Sequence, residues 1–264
     1  MERDVASHIV LNVSEPADLI FSIAVSGQYT AIEQFTATID GAPVQFSELH
    51  DAHGTRLHRI MSPVGQLVVD YSAKVTGQGD IDTATEVDTL IFQRPSRYAQ
   101  SDELAPTAGA EFAGITDHHQ LLTAVSSWVG THLSYVPGSS LPTDGATRTL
   151  LARQGVCRDY AHLCVALLRA SGIPARLVAV YAPGLVPMDF HAVAEAWIDG
   201  VWRVVDATTL APRSTLVRIA TGRDAADTAW LTVNSGRADV IEITVSATVD
   251  SLPGDDLDQL VSIA

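Results

Sequence analysis

The sequence is poor in cysteine, with only Cys157 and Cys164 among its 264 residues. A helix running through both would separate them by about 10 Å of rise, which is too far for a disulfide bond. Both are therefore predicted to be free thiols. Free thiols are typical of the reducing cytoplasm, and we expect the protein there.

Basic residues are also scarce, since 16 Lys and Arg face 31 Asp and Glu and leave a formal net charge of -15. Such a charge opposes binding to nucleic-acid phosphates and to anionic membrane surfaces. No apolar run reaches the length needed to span a membrane, and Met1 to Asp4 show no secretory signal. We expect neither nucleic-acid nor membrane partners, while the oligomeric state stays open.

Hydrophobic periodicity divides the chain into two regions. From Ser7 to about Phe92, short alternating or apolar runs are separated by Gly-containing turns, which is typical of antiparallel strands. Further on, apolar residues recur at helical spacing before strands return. The sequence thus predicts an α+β protein. Its expected parts are an N-terminal antiparallel β-sandwich domain over residues 1–94, a linker over 95–110, a core of helices packed on an antiparallel sheet over 111–250, and an acidic tail over 251–264.

Three helices are predicted in the second region. They run from Thr116 or Asp117 to about His132, from Ala146 to Gln154, and from Cys157 to Gly172. Gly172 suits the left-handed position after a helix, and a proline beyond it cannot easily continue the helix. Cys157 therefore belongs to the first turn of the third helix. The strands around Asn234 to Gly236 are expected to complete the sheet of this core.

The position of Cys157 favours a reactive thiol. A cysteine must lose its proton to attack a carbonyl, and unpaired N–H groups with the positive end of the helix dipole stabilise the resulting anion. The alternative is a small buried hydrophobe, which is the common fate of a free cysteine on an apolar helix face. Cys164, two turns into the helix, fits that alternative better.

A hairpin signal identifies the partner histidine. Asp199-Gly200 is a strong two-residue turn, and it would pair Trp197 with Trp202 on the flanking strands. Continuing the count places His191 and Asp206 on the same face as diagonal neighbours. A carboxylate beside an imidazole provides the base and its orienting group that nucleophilic catalysis requires.

Two other residues compete for these roles. Glu195 shares the face of His191 but lies about 13 Å further along the strand, so Asp206 is the nearer carboxylate. His162 follows Cys157 by five positions, which rotates it off the face of the cysteine. We interpret His162 as a packing or hydrogen-bonding residue.

No metal or other cofactor is expected. His50, His53 and His58 cluster in the first region without an accompanying cysteine or carboxylate constellation, so they are interpreted as surface-loop residues. The two cysteines and His191 lack the short spacings and the fourth ligand of a zinc site.

Three motifs, in the same order, resemble those of the transglutaminase-like superfamily. They are the cysteine motif Gly155-Val156-Cys157-Arg158-Asp159-Tyr160, the histidine motif Asp189-Phe190-His191-Ala192 and the aspartate motif Trp202-Arg203-Val204-Val205-Asp206-Ala207-Thr208. The resemblance extends from about Ser101 to Thr232, and the β-rich region before it resembles the N-terminal domain of bacterial members. Val193 departs from the tryptophan of many relatives, which changes packing but no catalytic atom.

The resemblance implies a papain-like core and a catalytic triad. Cys157 would attack an amide or ester carbonyl, His191 would act as base and then acid, and Asp206 would orient the imidazole. The backbone N–H of Cys157 would contribute to the oxyanion hole, with Tyr135 as a further candidate donor. An ordinary strand aromatic is the other interpretation of Tyr135.

The leading functional prediction is a cysteine-nucleophile enzyme that acts on amide bonds of a peptide or protein, a thiol peptidase or amidase. Transfer to an amine, as by a protein-glutamine gamma-glutamyltransferase, is the first alternative. A non-catalytic binding module that retains the fold is the second, and the presence of all three triad residues argues against it.

Overall fold

A computed structural model describes residues 1–263 of the chain. The N-terminal region consists of six strands and one short 3-10 turn at Ala52–Gly54. The strands are β1 (Glu2–Phe21), β2 (Ala31–Ile39), β3 (Ala42–Pro43), β4 (Ser47–His50), β5 (Arg56–Ser62) and β6 (Gly65–Thr76).

Helices and a second set of strands follow. In chain order they are α1 (Glu86–Ile91), α2 (Ser101–Glu111), α3 (His118–His132), β7 (Ser134–Tyr135), α4 (Ala146–Ala152), β8 (Gln154–Gly155), α5 (Cys157–Ala170), β9 (Ala175–Tyr181), β10 (Phe190–Ile198), β11 (Val201–Val205), a 3-10 turn at Arg213–Thr215, β12 (Val217–Gly222), α6 (Ala225–Thr228) and β13 (Leu231–Val249). Within residues 1–263, no helix is long and apolar enough to cross a membrane.

The predicted α+β class is confirmed, with an antiparallel N-terminal sheet and helices packed on a second antiparallel sheet. The N-terminal strands form one sheet in the order β3-β2-β6-β1-β5-β4, and the long β1 also pairs with β13. Its buried residues share a core with Tyr181, Val217 and Ile219 of the other sheet. The second layer of the expected sandwich is therefore supplied by the C-terminal half of the chain.

The second sheet has the order β11-β10-β9-β12, and α5 packs across β9 and β10. Helices α2, α3 and α4 pack on α5, which buries its apolar face on all sides. The predicted end of α5 is confirmed: Gly172 has φ +85°, and the N–H of Ile173 donates to Leu168 O at 3.0 Å. This pairing satisfies carbonyls that the helix end would leave free.

The final strand, β13, lies in a different sheet from the one predicted. The segment around Asn234 to Gly236 was expected as a turn between strands of the second sheet, but it lies inside the continuous strand β13, which pairs with β1. Register shifts accommodate the change, and Gly236 has φ +78° within the strand. The strand thus leaves the core predicted over residues 111–250 and joins the N-terminal sheet.

The predicted linker over residues 95–110 also differs from the structure, because most of it is helix α2. Pro106 removes one helical hydrogen bond, and such a helix gains little from local preference. Leu104 and Ala108 are buried against the other helices. Packing on α5 therefore stabilises a segment whose composition indicates a loop.

Residues 251–263, predicted as an acidic tail, have no regular secondary structure but pack against the protein. The N–H of Val204 donates to Val261 O at 2.8 Å, and Ile263 is 4% exposed. Arg213 holds Asp255 with Nε 2.9 Å from Oδ2. The tail therefore lies against β11, the strand that leads to Asp206.

Candidate active site

Helix α5 begins at Cys157, as predicted, and its first turn is held by a buried carboxylate. Asp159 accepts a hydrogen bond from the backbone N–H of Val156 at 2.8 Å and is fully buried. A Cβ at Gly155 would lie 2.6 Å from Cβ of Asp159, so only glycine fits there. The thiol of Cys157 is left half-buried at the N-terminal end of the helix.

The hairpin of β10 and β11 has the predicted register. Trp197 pairs with Trp202, and the ladder runs back to Ala194 opposite Val205. His191 and Asp206 lie just beyond it, and Nε2 of the imidazole is 2.7 Å from Oδ2 of the carboxylate. Both side chains are buried. The turn signal in the sequence thus brings the two residues together as expected.

The other oxygen of Asp206 is held by Thr208, a contact that sequence reasoning missed. The backbone N–H of Thr208 donates to Oδ1 at 3.0 Å and its hydroxyl donates at 2.6 Å. An aspartate followed two residues later by a threonine is a known local turn pattern, so the signal was present. With both oxygens engaged, the Asp206 carboxylate cannot rotate away from the imidazole.

Helix α3 closely approaches the backbone next to Asp206, and the residue at the contact is Gly130. A Cβ added at Gly130 would lie 2.8 Å from the carbonyl oxygen of Ala207, which is tighter than real side chains tolerate. The absence of a side chain at Gly130 therefore lets α3 press against the backbone next to Asp206. Nothing in the local sequence indicates this role, because the contact is long-range.

The electrostatics favour a protonated His191. Burial opposes protonation, but the carboxylate of Asp206 and the thiol of Cys157 outweigh it and raise the pKa of the imidazole to about 10. Burial would raise the pKa of Asp206, yet its ion pair with His191 and the Thr208 hydrogen bonds hold that pKa below its usual value. Nδ1 of His191 is buried without a hydrogen-bond partner among the described residues, which leaves it available to the thiol.

The two cysteines of α5 have opposite surroundings. Cys164 is 1% exposed in the apolar core, where burial strongly raises the pKa of its thiol. No disulfide forms between Cys157 and Cys164, in agreement with the prediction of free thiols.

Tyr135 lies against Cys157, where the short parallel pair of β7 and β8 places it opposite Gly155. Burial and the neighbouring thiol of Cys157 raise the pKa of the Tyr135 hydroxyl to about 12, while the backbone N–H of Cys157 acts in the opposite direction. The ring also contacts Tyr160, with centroids 5.9 Å apart. The hydroxyl thus lies close to Cys157.

The competing residues have other partners. Glu195 is completely buried, with Oε1 2.6 Å from Arg218 and Oε2 2.8 Å from Nε of Arg176. His162 accepts a hydrogen bond from the N–H of Ala225 at 3.1 Å, and burial lowers its pKa to about 3. It therefore has the packing and hydrogen-bonding contacts that were predicted.

His50 is exposed, as predicted, whereas the two other histidines of that cluster are less exposed than expected. His58 is 3% exposed and stacks on Phe35 with ring centroids 4.0 Å apart. His53 lies beside Asp82, with Nδ1 3.3 Å from the carboxylate. The interpretation as a surface-loop residue is wrong for His58, which lies in β5 and is covered by the rings of Phe35 and Phe46. His53 does lie in a loop, the 3-10 turn Ala52–Gly54, with its side chain partly covered.

Comparisons with known proteins agree with this geometry. Residues 107–207 match the model of a family described as the transglutaminase-like superfamily. A crystal structure described as that of a "putative cysteine protease" from Cytophaga hutchinsonii superposes with a TM-score of 0.87 at 32% sequence identity. The match covers 98% of this chain and 96% of that one.

Curated relatives match over a shorter part. An uncharacterized protein of Mycobacterium leprae is 27% identical over 165 residues, and one of Mycobacterium tuberculosis is 29% identical over 196 residues. This chain spans about three fifths of the length of these relatives, 59% and 60%. The full-length similarity to the Cytophaga hutchinsonii structure, together with the family match across Cys157, His191 and Asp206, leads to one conclusion: the chain belongs to the transglutaminase-like superfamily.

Proposed function

We propose that this chain is a cysteine-dependent acyl-transfer enzyme that hydrolyses amide bonds of peptides or proteins. One observation carries the proposal. His191 holds Asp206 at 2.7 Å through Nε2 and leaves Nδ1 unpaired beside Cys157, at the first residue of a helix. This arrangement supplies a nucleophile, a base and an orienting carboxylate.

In the proposed first half-reaction, the proton of the Cys157 thiol moves to Nδ1 of His191, and Sγ attacks the substrate carbonyl carbon. The raised pKa of His191 favours the resulting thiolate and imidazolium pair. When the C–N bond breaks, His191 returns its proton to the leaving amine. An acyl-enzyme remains, joined through Sγ.

In the second half-reaction, a water molecule attacks the acyl carbon while His191 accepts its proton. The C–S bond then breaks, and the proton returns to the thiolate of Cys157. An amine in place of water would give transfer instead of hydrolysis by the same steps.

The oxyanion of each tetrahedral intermediate needs hydrogen-bond donors. We assign this role to the backbone N–H of Cys157 and to the hydroxyl of the neighbouring Tyr135.

Hydrolysis is favoured over amine transfer by the similarity to a protein described as a putative cysteine protease. Incubation with a peptide library, with and without a primary amine, distinguishes the two. Peptide cleavage with no amine incorporation supports the peptidase, whereas incorporation without cleavage identifies a transferase. A cytoplasmic site of action is proposed from the two free thiols.

The first test is alkylation by iodoacetamide across a pH series, followed by mass spectrometry. We expect carboxamidomethylation at Cys157 in preference to Cys164 throughout the series, because the imidazolium and the helix terminus stabilise the thiolate of Cys157. Cys164→Ala is the matched control and should label like the natural chain, while Cys157→Ala should lose both labelling and activity. Preferential labelling of Cys164 would contradict the proposal, as would full activity of Cys157→Ala.

A further inference from the structure

The last strand forms an open edge of the N-terminal sheet. In the part of the chain that the structure describes, β13 pairs only with β1, along nearly its whole length of 19 residues. Its outer side therefore presents a row of backbone N–H and C=O groups without strand partners. Such an edge is a template for pairing with another strand.

This edge is only partly protected against such pairing. The sequence from Leu231 to Val249 contains no lysine and no proline, and its charged residues are Arg237, Asp239 and Glu242. Proteins commonly protect exposed edges with charged side chains, prolines, β-bulges or very short strands. Of these devices, β13 has the three charged residues and the register shifts against β1.

Several inward-facing side chains of β13 are incompletely covered. They share a face with β1 residues that are completely buried, in the pairs Val233 with Leu19, Val240 with Leu11 and Ile243 with Ile9. The β13 members nevertheless remain 39%, 46% and 38% exposed. They lie on the core-facing side of the sheet but at its edge, so another strand beside β13 would reduce their exposure.

The charges indicate which strand fits. Arg237 and Asp239 extend from the same face, with Nε 3.6 Å from Oδ2. If a second β13 runs antiparallel about a twofold axis at Ala238, each Arg237 lies directly opposite Asp239 of the second copy. Two reciprocal ion pairs result from one contact, as expected for a symmetric interface.

The contact about this axis is short. β13 shifts its register against β1 between Val240 and Glu242, and it is irregular again around Gly236, which has φ +78°. The regular segment is therefore limited to the residues next to Ala238, where Arg237 and Asp239 are the charged side chains. No like charges meet there.

We propose that β13 pairs antiparallel with β13 of a second copy about a twofold axis at Ala238, which makes one continuous sheet across a homodimer. The surface is separate from Cys157 and its partners, so this inference does not depend on the proposed reaction.

Sedimentation velocity over a concentration series tests the proposal with two charge reversals. The natural chain should form a dimer. Arg237→Asp and Asp239→Arg should each weaken dimerisation by about tenfold or more, since each places two like-charge pairs across the interface. Arg148→Asp, an exposed reversal on α4, is the matched control and should dimerise normally.

Mixing the two variants identifies the register. Chains with Arg237→Asp face chains with Asp239→Arg through two attractive pairs, so the equimolar mixture should form heterodimers about as tightly as the natural homodimer. The double reversal R237D/D239R should also restore self-association. A monomeric natural chain at its highest soluble concentration would overturn the proposal, as would dimers that neither reversal weakens or that mixing does not restore.

Discussion

Strand β10 carries a buried ionisable residue toward each end, and the two surroundings differ. Near its start, His191 contacts Asp206 at 2.7 Å. Four residues further along, Glu195 is held between Arg176 and Arg218. Each site therefore pairs a buried carboxylate with a cation, and both carboxylates have a lowered pKa.

The partners decide what each site can do. A guanidinium keeps its proton at any physiological pH, so the Glu195 cluster is fixed in charge and ties β10 to β9 and β12. An imidazole can give its proton up, and His191 has one nitrogen free to exchange it with Cys157. Burial of a carboxylate thus does not by itself indicate a reactive site, whereas the proposed reaction requires a titratable partner beside a nucleophile.

Changing each carboxylate to its amide separates the two roles, and the largest effect is expected at Glu195. Glu195→Gln leaves the buried guanidinium of Arg218 beside a neutral amide, while Arg176 keeps the carboxylate of Asp82. Breaking a buried ion pair in this way costs about 3–5 kcal/mol. Urea denaturation should show this loss in the free energy of unfolding. The turnover of each folded molecule of Glu195→Gln should be nearly unchanged at low temperature. A large drop in turnover would contradict a purely structural role for Glu195.

The same change at Asp206 should give the reverse pattern. Asp206→Asn can still hydrogen-bond the imidazole but no longer favours its charged form, so kcat should fall on the order of 10² or more. The fold should be retained, because Thr208 can still donate to the amide oxygen. Steady-state kinetics and a melting curve test this prediction. A normal kcat with normal melting would remove Asp206 from the proposed triad while leaving Cys157 and His191.

The smallest expected effect is a difference in how the two sites contribute to the free energy of unfolding as the pH rises. The pKa of His191 is raised from 6.5 to about 10, so its contribution to folding is complete below about pH 6.5 and is lost as the pH rises through about 10. The guanidinium pairs of Glu195 do not change over that range. Urea denaturation across this range should show a steeper loss for the natural chain than for His191→Gln; parallel curves would contradict the raised pKa.

Local sequence rules determined much of the candidate site. The dipeptide Asp199-Gly200 sets the hairpin register, and a register fixes which side chains share a face, so His191 meets Asp206. Gly172 adopts a left-handed conformation, and this ends the helix α5 that begins at Cys157. These features depend on neighbours a few residues apart, which is why they can be predicted.

Long-range packing decided the rest. Tyr135 reaches Cys157 only because β7 pairs with β8, and α2 is a helix because α5 covers its buried face. The assignment of β13 to the N-terminal sheet is of the same kind: its alternating pattern fits either sheet, and only the presence of β1 as a long central strand selects its partner. Periodicity states which face of a segment is buried, but the surface that buries it is chosen by the whole fold.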